Sequence, residues 1–328
     1  MNVAKRVLSL SADGVSLAKP LLVGFLAGLM LLVGNSISLA QLTHRYSFTT
    51  NTNDSVGVAN GTLVNNTLGN PFATVSGGQL NLNNPNFSGP GVSSNYLSLP
   101  ANILPASGSV TIESWFTFTG SGFFTEDWTF SNNANDTNPP GANNGQYLMH
   151  TISAPQPGSP PGGTNTGGSH IAQALSGYAG SLTPPPGPET DAFGTTPGIG
   201  AGGGGYLDDG GTYMSATVID GVAGTLSYYV FRTSDGLGGL QQTIPATPLS
   251  SYGFTNAYLG RSAFMADNAT SGSIDEFRIY ANAETSAQIA ADFAAGPNAL
   301  VPEPASFVLA AIGSLGLIGL RHRRRRVS

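Results

Sequence analysis

Two pairs of adjacent acidic residues are where this sequence comes nearest to acid–base chemistry. Glu126-Asp127 and Asp275-Glu276 each place two carboxyl groups side by side. Two carboxyl groups can act as nucleophile and general acid when a glycosidic bond is cleaved. Both pairs fall in segments predicted as strands, where neighbouring side chains point to opposite faces. We therefore expect neither pair to form a catalytic site, and the sequence predicts no catalytic residue.

Other residues able to catalyse hydrolysis also lack the spacing of an enzyme. The chain has no cysteine, which excludes thiol catalysis, thiolate zinc sites and disulfides. Three of the four histidines lie between Gln41 and Leu300 among many serines, but no Gly-x-Ser-x-Gly elbow is present. His44 is expected to be structural. His150 and His170 are expected to be solvated loop residues or, alternatively, to share a metal ion.

Charge is distributed very unevenly along the chain. Between Gln41 and Leu300 four arginines stand against 16 acidic residues, which gives this span a net charge of −12. So few positive charges cannot neutralise the phosphates of nucleic acid or of an anionic lipid surface. The sequence therefore excludes nucleic acid as a partner and favours cations, neutral glycans and other hydroxyl-rich polymers.

The N-terminal 40 residues have the pattern of a secretory signal peptide. Basic residues precede the apolar run Leu21–Val33, and Ser38 and Ala40 provide small residues at the usual cleavage spacing. We expect signal peptidase to remove residues 1–40, so that the mature chain begins at Gln41. Polar residues after the apolar run disfavour the alternative, a permanent N-terminal helix.

The last 28 residues join three segments of different chemistry. Val301-Pro302-Glu303-Pro304 comes first, the apolar segment Phe307–Leu320 follows, and residues 321–326 are almost all arginine. At about 1.5 Å per residue the apolar segment is short for a hydrocarbon core of about 30 Å, which favours a transient membrane span. The arginines are expected to stay cytoplasmic, which leaves the upstream chain outside.

These three segments together resemble the PEP-CTERM sorting signal of Gram-negative bacteria, assigned here to residues 299–328. The resemblance implies that a membrane-embedded exosortase recognises the processing motif Val301, Pro302, Glu303 and Pro304 and cuts near it. The implied location is the cell surface, the outer envelope or the extracellular space, after transient attachment to the inner membrane. The prolines would keep the motif extended for the enzyme. The alternative is an ordinary C-terminal anchor, which has no need of Pro-Glu-Pro.

The span between the two signals has the pattern of an all-β domain. Short runs rich in β-branched and aromatic residues alternate with glycine, asparagine and proline, which is typical of antiparallel strands. Asp220-Gly221 predicts a hairpin turn. The strands are expected within residues 45–48, 96–99, 110–118, 128–130, 147–149, 213–218, 225–231 and 274–280.

Two features lie outside this strand pattern. Residues 132–145 and 154–205 are dense in glycine and proline and are expected to be long surface loops. One short C-terminal helix is predicted, with Thr285 or Ser286 as N-cap and Gly296-Pro297 as its end. Its buried face is expected to carry Ile289, Ala290 and Phe293.

The order of motifs resembles that of bacterial laminin-G-like domains. The motifs run from His44-Arg45-Tyr46-Ser47-Phe48 through Thr111-Ile112-Glu113-Ser114-Trp115 to Gly272-Ser273-Ile274-Asp275-Glu276-Phe277-Arg278-Ile279-Tyr280. The resemblance implies that residues 41–298 form a concanavalin A-like antiparallel β-sandwich, or jelly roll.

Sandwich domains of this class often bind a structural Ca²⁺ between an early loop and a late strand. Asp54 and Asp275 occupy these positions and are the candidate ligands, because hard oxygen donors suit this ion. The alternative keeps Asp54 as a turn residue and Asp275 as an ion-pair partner of Arg261 or Arg278.

Glycan binding requires aromatic rings that stack on sugars. Trp115 is expected in the core, whereas Trp128, Phe123, Phe124 and Tyr206 lie nearer loops and are the better candidates, with Trp128 and Tyr206 as the candidate ligands. The sequence thus predicts an exported, non-enzymatic protein of the exopolysaccharide or biofilm matrix, either glycan-binding or purely structural. The alternative is a polysaccharide-active enzyme, a glycosidase or lyase, on the same sandwich.

Overall fold

A computed structural model describes residues 41–65, 72–84, 95–119, 124–132, 146–153, 168–175, 190–196, 199, 205–264 and 267–300. The predicted signal peptide, the sorting motif and most of the two predicted loops lie outside these residues. Within the described ranges, no helix combines the length and the apolar character needed to cross a bilayer.

The described residues form two antiparallel sheets and one α-helix. The eight-stranded sheet has the order β13-β12-β11-β6-β15-β4-β3, with β1 also paired to β15, and the seven-stranded sheet has the order β10-β9-β8-β7-β14-β5-β2. The elements are β1 Leu42–Tyr46, β2 Thr62–Val64, β3 Thr74–Ser76, β4 Gln79–Leu82, β5 Tyr96–Leu99, β6 Val110–Thr119, β7 Thr125–Ser131, β8 Tyr147–Ser153, β9 His170–Ala174, β10 Thr190–Phe193, β11 Asp209–Asp220, β12 Thr225–Arg232, β13 Gly238–Pro245, β14 Asn256–Leu259, β15 Gly272–Tyr280 and helix α1 Ser286–Ala295.

The main core lies between the sheets and follows from the period-two pattern of the strands. On β6, Ile112 and Phe116 face the core, whereas Glu113 and Trp115 face outward beneath helix α1. Phe130 on β7 and Leu148 on β8 fill the same core from the other sheet. The two-sheet antiparallel sandwich predicted from the sequence is therefore confirmed.

The predicted loop 154–205 is partly wrong, because it contains two strands. β9 pairs with β8 and β10 pairs with β9, so they extend the seven-stranded sheet to its edge. All five residues of β9 are buried. The strands are short and are separated by glycine- and proline-rich chain, so the local composition hides them.

The hairpin predicted at Asp220-Gly221 is present between β11 and β12. Asp220 pairs with Thr225 across the turn, and its Oδ1 accepts the backbone N–H groups of Val222 and Ala223 at 2.9 and 3.0 Å. The aspartate side chain therefore orders the turn itself.

Helix α1 begins and ends as its sequence predicts. Thr285 is the N-cap in a capping box with Gln288, and Gly296 follows the last residue with φ 83°. The predicted face is wrong in one residue. Ala290 is exposed, whereas Asp292 is buried beside Ile289.

Gly272, at the start of β15, offers a sharp test of the sheet packing. Its φ is +133°, and an added Cβ would lie 2.2 Å from the carbonyl oxygen of Thr117. Gly272→Ala is expected to lower the free energy of unfolding by roughly 3 kcal/mol or more. Gly224→Ala is the control, because its φ is +67° but the new Cβ meets no atom within 4 Å. If urea unfolding shows the same loss of free energy of unfolding for both variants, the close packing at Gly272 is not what requires glycine there.

Candidate functional site

The outer face of the seven-stranded sheet is unusually polar for a surface that is largely buried. The register places the side chains of Glu126, Thr129 and Ser131 on this face of β7, next to Thr151 on β8. We call this surface the outer face. Its other members are Tyr147 and Met149 of β8, His170 and Ala172 of β9, Asp191 and Phe193 of β10, Asn256 and Tyr258 of β14, and Tyr96 and Ser98 of β5.

Several buried polar atoms on the outer face have no hydrogen-bond partner among the described residues. The hydroxyls of Thr129, Ser131 and Thr151 belong to this set, with both carboxylate oxygens of Glu126 and Nδ1 of His170. Leaving one such group buried and unpaired costs about 1–3 kcal/mol. Their concentration on one face therefore indicates a surface that a polar ligand or ordered water would complete.

Glu126 is the charged centre of the outer face. It is fully buried, and burial, followed by the charge of Asp267, raises its pKa well above the usual range. Ser262 lies nearby but donates its hydroxyl to Asp267 Oδ2 at 2.5 Å, and burial raises the pKa of Asp267 to about 7. A carboxyl group in this state can donate a hydrogen bond to a ligand.

Three further polar groups lie at the β9–β10 end of the outer face. Burial raises the pKa of Asp191 to about 6, and also that of Asp208, beside Ser153, to about 6. The predicted ligand Tyr206 is half-buried beside Asp208, and its hydroxyl has no partner among the described residues. Tyr206 therefore stays a candidate ligand.

The opposite end of the outer face is aromatic and partly open. The rings of Tyr96 and Tyr258 meet edge to face at 5.2 Å. The guanidinium of Arg261 lies 4.7 Å from the first ring centroid and 4.6 Å from the second. Tyr96 is half-buried, so it combines an accessible ring with a fixed position.

Trp128 was predicted to contact a glycan, and this is wrong. Its ring is fully buried between the sheets and packs against Phe130 and His150. The register shifts between Glu126 and Trp128, so Asp127 and Trp128 both face the core. Phe124, just before β7, is the exposed aromatic of this segment, at 42 %.

The interior holds a polar network that joins the two sheets. Asp127 Oδ2 lies 3.1 Å from His150 Nδ1, and its Oδ1 accepts the Ser114 hydroxyl at 3.0 Å. His150 Nε2 is 2.9 Å from the Tyr228 hydroxyl, which donates to Ser169 Oγ at 2.9 Å. An acid, an imidazole and hydroxyls thus align as in a hydrolase. All five residues are at most 1 % exposed, and we assign the network to the core.

Both alternatives for His150 and His170 are wrong. Neither is solvated, because both are buried on adjacent strands. They do not share a ligand either, because the register directs His150 into the core and His170 to the outer face. Burial lowers the pKa of His170 to about 4, so this imidazole is neutral at physiological pH.

Asp54 organises the early loop. Its Oδ1 accepts backbone N–H groups from Arg45, Val56 and Gly57 at 2.9–3.1 Å, and its Oδ2 lies 2.6 Å from His44 Nδ1. These donors hold the Asp54 pKa below its usual value against the effect of burial. The carboxylate thus has the role of the predicted turn residue.

Asp275 lies in a different environment, at the register shift between Ile274 and Glu276. It accepts a hydrogen bond from Gln79 Nε2, and burial raises its pKa. Arg278, one of its two predicted partners, pairs instead with Glu276, Glu113 and Asp292. A Ca²⁺ shared by Asp54 and Asp275 remains a proposal.

The C-terminal segment matches a known signal. Residues 300–325 match the PEP-CTERM protein-sorting motif, and the match includes Val301, Pro302, Glu303 and Pro304. No curated protein matches the chain.

Solved structures with a similar sandwich belong to unlike proteins. Domain 4 of AbnA, an extracellular GH43 arabinanase from Geobacillus stearothermophilus in complex with arabinotriose, is 18 % identical, covers 77 % of this chain and 98 % of its own, and gives a TM-score of 0.48. The CBM40 of the Ruminococcus gnavus IT-sialidase bound to α2,3 sialyllactose is 14 % identical over 57 % of this chain and 82 % of its own, with a TM-score of 0.37. The binding domain of botulinum neurotoxin DC in complex with rat synaptotagmin II is 14 % identical over 77 % and 51 %, with a TM-score of 0.48.

The fold and the tail together define the class of protein. The fold of the described residues is a two-sheet antiparallel β-sandwich with one short α-helix. The tail carries the PEP-CTERM motif, which marks an exported protein that exosortase processes and that is sorted to the cell surface.

Proposed function

We propose that this protein is a non-catalytic glycan-binding component of the extracellular polysaccharide matrix, and that it binds sugar on the outer face. The observation that carries the proposal is the open end of the outer face, where the half-buried ring of Tyr96 lies beside Tyr258 and Arg261. A sugar offers hydroxyls that both donate and accept, so it can also hydrogen-bond to polar groups at this end. The half-buried ring of Tyr96 provides an apolar surface at the open end.

The negative net charge of this protein also favours a neutral sugar over an anionic one as the ligand. The span from Gln41 to Leu300 has a net charge of −12, and Arg261 is the one arginine at the outer face among the described residues. The surrounding acids would repel a polyanionic polymer. A neutral glycan fits the raised pKa of Asp267, whose carboxyl group can then donate to a sugar oxygen.

Two measurements on the full-length protein in detergent test the proposal. A glycan array should reveal binding, and a reducing-sugar assay on bound polymers should reveal no turnover. Turnover would instead support the alternative, a polysaccharide-active enzyme in which Glu126 is a candidate general acid. Absence of both would leave a purely structural role and reject glycan binding.

Tyr96→Leu separates ligand binding from folding. The substitution keeps an apolar side chain at a half-buried position and removes the aromatic ring at the open end of the outer face. We expect a loss of affinity of about tenfold, equal to about 1.4 kcal/mol, with only a small change in melting temperature. Tyr252→Leu is the matched control, because Tyr252 is also half-buried but stacks on Phe254, which packs against the core residue Phe130. Unchanged affinity in the first variant would argue against the outer face.

A further inference from the structure

Helix α1 and the outward side of the eight-stranded sheet enclose a cluster of carboxyl groups. Glu113 lies on β6, Glu284 just before the helix and Asp292 within it. One carboxylate oxygen from each lies within 4.8 Å of the others. Their exposed fractions are 0 %, 5 % and 5 %. Residues more than 170 positions apart in sequence thus meet in one buried volume.

The arginines near this cluster do not neutralise it. Four buried acids are present, counting Glu276, against the two guanidinium groups of Arg45 and Arg278. Arg278 Nε donates to Glu276 Oε1 at 2.7 Å. Its Nη2 donates to the carbonyls of Pro297 and Ala299 at 2.8 and 2.7 Å.

The remaining nitrogen of Arg278 is too distant to satisfy the cluster. Nη1 lies 3.7 Å from Glu113 and 3.6 Å from Asp292, beyond hydrogen-bond length. With all groups ionised, these four acids and two arginines of the described residues together carry a net charge of −2. Such charges persist in a protein interior only when they are neutralised by protons or by a bound cation.

Glu113 provides a second observation that points to a ligand. It is fully buried, and neither of its oxygens has a hydrogen-bond partner of normal geometry among the described residues. Burial, then the charges of Glu284 and Asp292, raises its pKa well above the usual range, against the weaker opposing effects of Arg278 and the Tyr280 hydroxyl. One of its oxygens lies within 4.8 Å of an oxygen of each of the other two acids.

We propose that Glu113, Glu284 and Asp292 bind one hard divalent cation, of the Ca²⁺ type, between helix α1 and the eight-stranded sheet. One divalent ion supplies the two missing charges, and an all-oxygen donor set suits Ca²⁺, with water completing its coordination. Because the ligands come from β6, the segment before the helix and the helix itself, the ion stabilises the docking of the helix. This site is separate from the pair Asp54 and Asp275.

Calcium titration of the EDTA-treated full-length protein in detergent tests the site. Ca²⁺ should raise the melting temperature progressively, as expected for a ligand of the folded state. Tb³⁺ should bind in its place and emit on excitation of Trp115, whose ring lies 4.4 Å from the Arg278 guanidinium. A melting temperature and Tb³⁺ emission that do not respond to millimolar ion would overturn the proposal and leave protons as the neutralising species.

Glu113→Gln is expected to change the melting temperature in opposite directions in EDTA and in Ca²⁺, which a merely structural role of Glu113 would not produce. In EDTA the variant should melt higher than the wild type, because a buried uncompensated charge is removed. In Ca²⁺ it should melt lower, because a ligand is lost. Asp235→Asn, in an exposed ion pair, is the control and should keep the full Ca²⁺ response. If Asp275→Asn abolishes the rise in melting temperature with Ca²⁺ and Glu113→Gln does not, the ion binds at the other candidate site and this proposal is wrong.

Discussion

His150→Leu is expected to lower the free energy of unfolding by about 3–5 kcal/mol, because it leaves the Asp127 carboxylate in the core without its main partner. Asp127 is fully buried, and burial raises its pKa against the hydrogen bond from His150. The variant also removes the contact of His150 with the Tyr228 hydroxyl. Leucine fills a similar volume, so the cost reports the lost polar partner. Urea unfolding at neutral pH measures it.

The cost of His150→Leu should depend on pH in a defined direction. Without the imidazole, the folded pKa of Asp127 rises further above its unfolded value. The folded state then binds more protons than the unfolded state, so stability falls as the pH rises from the unfolded pKa towards the folded one. The variant should therefore recover part of its deficit in mildly acidic solution.

His170→Leu is the matched control for this prediction. His170 is also buried, on the neighbouring strand, and its Nδ1 has no hydrogen-bond partner among the described residues. Burial lowers the pKa of His170 to about 4, so this imidazole is uncharged at neutral pH and its removal takes no positive charge from the interior. The loss of free energy of unfolding should therefore be clearly smaller for His170→Leu than for His150→Leu. Similar costs for the two variants would show that the Asp127 pair contributes little.

Arg278→Met is expected to destabilise the domain at least as strongly, by about 3–5 kcal/mol or more. Arg278 is fully buried and joins Glu276 to the chain after helix α1, through the carbonyls of Pro297 and Ala299. Methionine keeps much of the apolar stem but leaves the surrounding acids with one cation, Arg45. Thermal unfolding and limited proteolysis near residue 297 measure the loss of the domain and of this anchored segment.

Arg232→Met is the control for Arg278→Met. Arg232 pairs with Asp235 at 2.6 Å, but the side chains are 27 % and 47 % exposed, so water replaces the lost contact. We expect only a small change in melting temperature. Failure of Arg278→Met to fold would agree with the prediction, whereas stability equal to that of Arg232→Met would refute it.

The sequence predicted well those strands that are long enough to show a clear run of β-branched and aromatic residues. β6, β11, β12 and β15 are long, with β-branched and aromatic residues throughout, and all four were expected. β9 and β10 were missed, because five and four residues between glycine- and proline-rich segments carry too little pattern. They form strands because β9 pairs with β8 and β10 pairs with β9, which are contacts between separate segments of the chain.

The composition of the candidate sites depends on register shifts and strand pairing, which the period-two pattern of side chains along a strand does not reveal. The register shift between Glu126 and Trp128 directs both Asp127 and Trp128 into the core, although strict alternation would separate them. The aromatic at the open end of the outer face is Tyr96, for which the sequence pattern predicts only a place in the strand 96–99. Its nearness to Arg261 could have been expected only from the pairing of β5 with β14.

The sequence by itself determined the PEP-CTERM sorting motif, the acidic character of the span from Gln41 to Leu300 and the two-sheet class. These properties depend on composition and on short-range order, which the chain carries before it folds. Only the tertiary structure decided which polar groups are buried together, as at Glu126 with Thr151 and at Glu113 with Asp292. Burial and charge compensation are set by contacts between strands far apart in sequence. The same residue types therefore become a turn, a core network or a binding surface according to their neighbours in space.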